Sequence, residues 1–350
     1  MSIMADDLIN FTSILKMSYN FLAGRDFLKR KKFREKKKLV SVALPFSDLA
    51  FAAGAVPVFP IRMELFNVNK YLLAMNSATS FFGWSTVAKF LGFMKQFDTL
   101  KISDNIIAEV IESINMKYNE MFDIGVENGM STDFCYGLKA LYGMHISKGK
   151  NVDATFNFTF RCSAWNKYLE SLKTIVPKQI WLEMPPRNID GALEILKGNI
   201  SNSILEMEEL TGNNVTDNSL LKQFRIRNQI CRFYKTIIYE IGMSDFYPCN
   251  PATFAQILSL LSISFQDFNS DSIRYLDNLS QLVKEMKERI RKGIGMDVSK
   301  MPKIMFAPMF GGWEPTVHEI VYELGGRTLY ADWDVLGFLE EIDVSGDPIE

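Results

Sequence analysis

The feature that most limits the fold is a short apolar run, Leu39 to Leu44 (LVSVAL), closed by Pro45. It has no polar alternation, so it reads as a strand covered on both faces, as in a parallel sheet. Ser47 and Asp48 follow as N-cap candidates for the helix DLAFAAG, which Gly54 stops. Ala55 to Ile61 (AVPVFPI) is a second extended segment, and its prolines favour an edge or a strand end. Strand, short helix and strand in this order open an α/β domain.

The pattern continues along the chain. Asp104 to Met121 carries Ile106, Ile107, Val110, Ile111 and Ile114 at helical spacing. Asp153 to Phe160 (DATFNFTF) reads as a strand, Trp165 to Leu172 as the next helix, and Lys178 to Met184 as a further strand closed by Pro185 and Pro186. From Ile189 to about Gly293 the pattern is helical, with a turn at Asn213 and Asn214. The stripe Ile273, Leu276, Leu279, Leu282, Val283, Met286 and Ile290 is flanked by solvated Lys284, Lys287, Glu288 and Arg291. Strand signals return at Lys303 to Ala307 and Arg327 to Ala331, with a helix to Leu324 between them. The expected fold class is α/β: two Rossmann- or flavodoxin-like parallel-sheet domains with a helical insertion between them. The expected division is 1–185 for the first α/β domain and 186–350 for the rest, with the helical segment at about 189–293.

Composition excludes several classes. The 350 residues include 39 basic and 41 acidic ones, so no global pull on nucleic acid is expected. Four cysteines exclude a disulfide scaffold at this length. No apolar run approaches the roughly 18 residues that span a bilayer. The N-terminus lacks a basic segment followed by an apolar core, so the expectation is a cytoplasmic protein with reduced thiols. Asp6 and Asp7 read as the start of an amphipathic helix. The densest charge run, Lys29 to Lys38 (KRKKFREKKK), has eight Lys or Arg in ten residues. It is either a solvated lead into the first strand or a docking surface for an acidic partner or a nucleotide-bearing substrate.

Chemistry in parallel sheets collects where strands run out into loops. Cys135 lies just ahead of a helical stretch, and Cys162 lies between a strand end and the next helix. Helix N-termini favour a thiolate or an anionic cluster, but buried cysteine is also a common small core residue. No CxxC pair is present, so spacing leaves both readings open. Cys231 reads as core packing and Cys249 as a loop thiol. His145 is either a general base near the loop face or a surface histidine. His318 has no second histidine at the helical spacing of a zinc site. The Gly311–Gly312 turn is a weak phosphate-binding signal.

Several stretches, taken in order, resemble the benzoyl-CoA reductase / 2-hydroxyacyl-CoA dehydratase family, to which the 2-hydroxyglutaryl-CoA dehydratase D-component belongs. They are VSVALPFSDLAFAAGAVPV, DFCYGLKALYGM, ATFNFTFRCSAWNKYLESL, WLEMPP, LEMEELTGNNVTDNSLLKQFRIRNQ and KIMFAPMF…HEIVYELGGRTLYAD, covering about Lys37 to Asp332. The resemblance implies a subunit holding a 4Fe-4S cluster beside an acyl-CoA thioester. It also implies homologous partner subunits and an ATP-dependent iron–sulfur activator that delivers one electron. The thioester would be reduced to a ketyl-type radical, which leads to loss of water from a 2-hydroxyacyl-CoA or to reduction of an aromatic ring. Cys135 and Cys162 match two cluster ligands, Ser47 and Asp48 match the loop and helix start lining the site, and Gly311–Gly312 match the first loop of the C-terminal domain.

A third cluster cysteine is expected in a continuation beyond the ADWDVLG region, whereas this chain ends at Glu350 and has no cysteine after Cys249. The resemblance therefore leaves three expectations: a third ligand from another chain, a cluster-free structural or regulatory subunit supporting a catalytic paralogue, or substitution by Cys249 or Asp332.

Overall fold

The computed structural model describes residues 10–22, 24–42, 46–64, 86, 118–131, 133–159, 162–185, 189–306, 315–330 and 339–349. In chain order, helix α1 is Thr12–Leu22 and α2 is Gly24–Lys29, which continues as a π-helical turn, Arg30–Arg34. Strand β1 (Leu39–Val42), helix α3 (Ser47–Ala52), strand β2 (Val56–Val58) and helix α4 (Pro60–Glu64) follow. After a helical stretch at 118–127 (α5) come α6 (Tyr136–Lys148), β3 (Ala154–Phe158), α7 (Ser163–Ser171) and β4 (Gln179–Leu182).

These four strands make one parallel sheet in the order β2-β1-β3-β4. Val40 is in register with Pro57 on one side and Ala154 on the other, and Phe156 with Ile180. Every residue of β1, β2 and β3 is buried, which explains why apolar residues dominate them, with Ser41, Thr155 and Asn157 as buried polar exceptions. Strand β2 is an edge, where Pro57 forfeits no ladder hydrogen bond. The first core joins Val40, Val42, Phe156 and Ile180 of the sheet to Leu138 and Met144 of α6 and to Tyr168 and Leu169 of α7.

The helical segment comprises α8 (Ala192–Thr211), α9 (Asp217–Lys235), α10 (Pro251–Phe265) and α11 (Ser272–Arg291). Its core includes Ile230, Tyr234, Phe254, Leu261, Leu279 and Met286. Phe11, Ile14 and Met17, at and just before α1, are buried in this same cluster, and Ser13 donates to Glu285 at 2.6 Å. The apolar clusters therefore cross the 185/186 line at α1. Leu279, Leu282, Val283 and Met286 form the buried face expected of α11, but Ile273 is 54% exposed and lies outside it.

Strands β7 (Lys303–Met305) and β8 (Arg327–Tyr330) pair in parallel around helix α12 (Pro315–Glu323). A two-residue antiparallel ribbon, β5 (Phe246–Tyr247) with β6 (Met296–Asp297), was not expected. Two residues are too few to show any period.

The free edge of β2 is covered by a turn between α10 and α11. Asp267 accepts from Phe59 N–H at 2.9 Å and from Arg62 Nη1 at 2.6 Å, and Ser270 Oγ donates to Pro57 O at 2.7 Å. Arg62 and Asp267 are both fully buried. Phe268, Asn269 and Ser270 all have positive φ (43°, 44° and 63°), which costs L-residues about 1–2 kcal/mol each. The second Asp267 oxygen holds this backbone by accepting from Asn269 N–H at 2.9 Å. Removing one partner of such a pair strands a buried charge. Asp267→Ala should therefore lower unfolding free energy by about 3–5 kcal/mol in urea titrations, and a loss below about 1 kcal/mol would show that the pair does not hold the edge.

Candidate functional site

All four strands of the first sheet run the same way, so their carboxyl ends share one edge. Two thiols lie there. Four residues after β3 ends, Cys162 occupies the N-cap of α7 in extended conformation (φ −85°, ψ 113°). Helix α6 returns through the turn Gly149–Asn151 to the amino end of β3, so it runs against the strands and its own start lies at their carboxyl edge. Cys135 is its N-cap (φ −62°, ψ 151°). Both cysteines are exposed, and neither helix start has a side-chain cap hydrogen bond. Uncapped first-turn N–H groups and the helix dipole favour negative charge at such positions.

Close packing and aromatic rings fix the two helix starts. A Cβ on Gly143 of α6 would lie 1.8 Å from Met121 O, and one on Gly125 of α5 would lie 2.1 Å from Lys139 O. The two helices thus touch backbone to backbone, and only glycine permits it. Beside Cys135, Tyr136 stacks on Phe122 at 4.5 Å and meets Tyr118 at 5.3 Å. Burial, with smaller contributions from Tyr136 and Cys135, pushes the Tyr118 hydroxyl well above its ordinary range. Ahead of Cys162, Trp165 Nε1 donates to Phe158 O at 3.1 Å, and Phe158 packs against Phe46 at 5.1 Å. Phe46 immediately precedes Ser47, so the starts of α3 and α7 share one aromatic support.

Ser47 and Asp48 are placed differently from the sequence expectation. Phe46 is the N-cap of α3, and no side chain caps it. Ser47 Oγ donates instead to Gln266 O at 2.6 Å, and Asp48 faces Arg227 of α9, Nε to Oδ2 3.4 Å. Both side chains dock the helical segment onto α3. Burial pushes the Asp48 carboxyl up to about 7, with Arg227 pulling the other way. Arg227 was missed, although a cation on the buried face of α9, with Ile230, Cys231 and Tyr234, was the available signal.

His145 is neither a surface residue nor at the loop face. It lies ten residues beyond Cys135, about 15 Å along α6. It is buried, with Nδ1 2.9 Å from Leu141 O and 3.1 Å from Tyr168 OH, and Nε2 3.1 Å from Ser41 Oγ. Nδ1–H donates to the Leu141 carbonyl, which leaves Nε2 to accept from Ser41. Desolvation lowers its pKa from 6.5 to about 4, against the Leu141 hydrogen bond. His318 is likewise buried, near Ser259 and Thr328.

Cys231 is core, and burial pushes its thiol up to about 11. Cys249 follows β5 as expected of a loop thiol, but it is buried in the helical core. Among the described residues, no group of three or more His, Cys, Asp or Glu side chains could hold a metal ion. Asp332, Gly311–Gly312, Asp6, Asp7 and most of the 104–121 segment lie outside the described residues. Among those described, no helix is long and apolar enough to cross a membrane.

A parallel four-stranded sheet flanked by helices, with two exposed cysteines at the helix starts of its carboxyl edge and a helical segment joined to it, defines an α/β protein. The family described as 2-hydroxyglutaryl-CoA dehydratase, D-component, matches residues 48–349. The chain belongs to this family, whose name marks it as a subunit of a dehydratase-type enzyme. No curated protein matches it.

The His145 contacts set a pH dependence. A histidine held below its unfolded value contributes stability above pH 6.5, and this is lost as pH falls towards 4. In the same window Asp48, held near 7 in the fold, takes up a proton and offsets this loss, so the histidine's share of about 3 kcal/mol is read as the difference between the pH profiles of the urea midpoints of parent and His145→Gln. An unchanged slope in His145→Gln would show that another group titrates.

Proposed function

We propose that the chain is a subunit of a 2-hydroxyacyl-CoA dehydratase in which Cys135 and Cys162 supply two thiolate ligands to a 4Fe-4S cluster. The observation supporting this is the two exposed thiols, each at the N-cap position of a helix that starts at the same sheet edge. Two thiolates are part of the usual set of four, so further ligands come from outside the described residues or from a homologous partner subunit. Soft sulfur donors suit iron–sulfur binding, and two helix N-termini offset the negative charge of such a group.

When bound, the cluster supplies one-electron transfer at low potential, fed by an ATP-dependent activator. This chain's own residues orient and shield. Phe46, Phe158 and Trp165 form an apolar support near Cys162, and Tyr118, Phe122 and Tyr136 form another beside Cys135. Such walls keep water from a reactive thioester. Ser47 and Asp48 fix the start of α3 at this edge through Gln266 and Arg227. Water loss from a 2-hydroxyacyl-CoA is preferred to reduction of an aromatic acyl-CoA because the family matched is a dehydratase component. The setting is the cytoplasm.

A second reading, a cluster-free subunit supporting a catalytic paralogue, is favoured by the absence of a third ligand among the described residues. Iron and sulfide analysis with visible absorbance, on protein purified anaerobically with its partners, separates the two. The first reading expects a brown complex that loses at least half its iron in Cys135→Ser and in Cys162→Ser. Unchanged iron and activity in both variants would establish the second.

A further inference from the structure

We infer that the basic segment from Lys29 to Lys38 is a docking surface for an acidic protein partner, separate from the cysteine-bearing edge. The segment holds eight cations and one carboxylate, a net charge of 8 − 1 = +7. The whole chain is −2, so the remainder is −2 − 7 = −9. The ten residues thus carry a strong positive charge on a chain whose remainder is net acidic.

The stretch is structured. Its first half is the π-helical turn Arg30–Arg34, closed by Lys36 at φ 55°. Three cations are spent on holding it. Lys31 and Arg30 pair with Glu35 at 2.7 and 3.6 Å, and Lys32 pairs with Asp153 at 3.4 Å while donating to Asn151 O at 2.6 Å. Lys29, Arg34, Lys36, Lys37 and Lys38 are exposed; none of them is within ion-pair distance of a carboxylate among the described residues, and Lys37 acts on Glu35 only at longer range. In their midst Phe33 is 65% exposed. An exposed aromatic side chain flanked in sequence by cations has the make-up of an interface anchor with a charged rim.

Position separates this surface from the thiols. The segment runs into the amino end of β1, whereas Cys135 and Cys162 lie at the carboxyl edge of the same sheet. Charge distribution selects the occupant. A cluster of cations around one exposed Phe, on a chain that is otherwise net acidic, matches an acidic protein face that also offers an apolar contact.

The test titrates the full chain at physiological salt with a labelled peptide rich in Asp and Glu around one Leu. Duplex DNA, phosphatidylserine vesicles and adenosine 3′,5′-bisphosphate form parallel arms. We expect saturable, salt-sensitive peptide binding, at least tenfold weaker in Arg34→Glu/Lys36→Glu/Lys38→Glu. Phe33→Ser should weaken it about threefold without changing the salt slope. Circular dichroism and urea midpoints of both variants should match the parent, because none of these side chains holds the fold. Absent peptide binding, or binding that survives the triple reversal in folded protein, would overturn the inference. So would tighter binding of DNA, vesicles or the bisphosphate through the same cations.

Discussion

The common direction of β1, β2, β3 and β4 is the constraint on which the site depends. A parallel sheet sends every strand out at one edge and brings each following helix back from there. Helix α7 begins at that edge because it follows β3, and α6 begins there because it leads back to the amino end of β3. Two cysteines 27 positions apart (162 − 135) thus become N-caps on one side of the molecule. The backbone contacts of Gly125 and Gly143 then fix where α6 can lie.

The second constraint is the edge of that sheet. Parallel sheets are normally covered on both faces and protected at their edges. Here the exposed backbone of β2 is taken by the turn at Asp267 to Ser270, which lies between α10 and α11. The left-handed backbone of Phe268, Asn269 and Ser270 and the buried Arg62–Asp267 pair are both costly, and they share one junction. Ser47–Gln266 and Asp48–Arg227 extend the same junction to the start of α3. Polar groups on the first α/β unit that read as site-lining residues therefore hold the helical segment in place.

Much of the fold was legible because periodicity and punctuation carried it. The mainly apolar run at Leu39 to Val42 and the prolines around β2 identified a central strand and an edge strand. The positions of Cys135 and Cys162 at helix starts were legible for the same reason. Side-chain partners were not. Ser47 satisfies the residue preference of an N-cap, yet the hydroxyl of Ser47 finds Gln266, 219 residues away. His145 reads from the sequence as either a loop-face base or a surface histidine and is neither, because ten residues of helix carry it to the far end of α6, where it is buried. The β5–β6 ribbon and the Asp267 turn are set by tertiary contacts that leave no local pattern.

The central claim is that Cys135 and Cys162 face a common site. The most direct measurement is cross-linking of the reduced, metal-free chain with a short bis-alkylating reagent that fluoresces only when it joins two thiols, followed by peptide mapping. Cys231 and Cys249, both buried, serve as internal negatives. The account predicts one bridged product, between the peptides holding Cys135 and Cys162. Single alkylation at both cysteines with no bridge, in protein that remains folded, would contradict it.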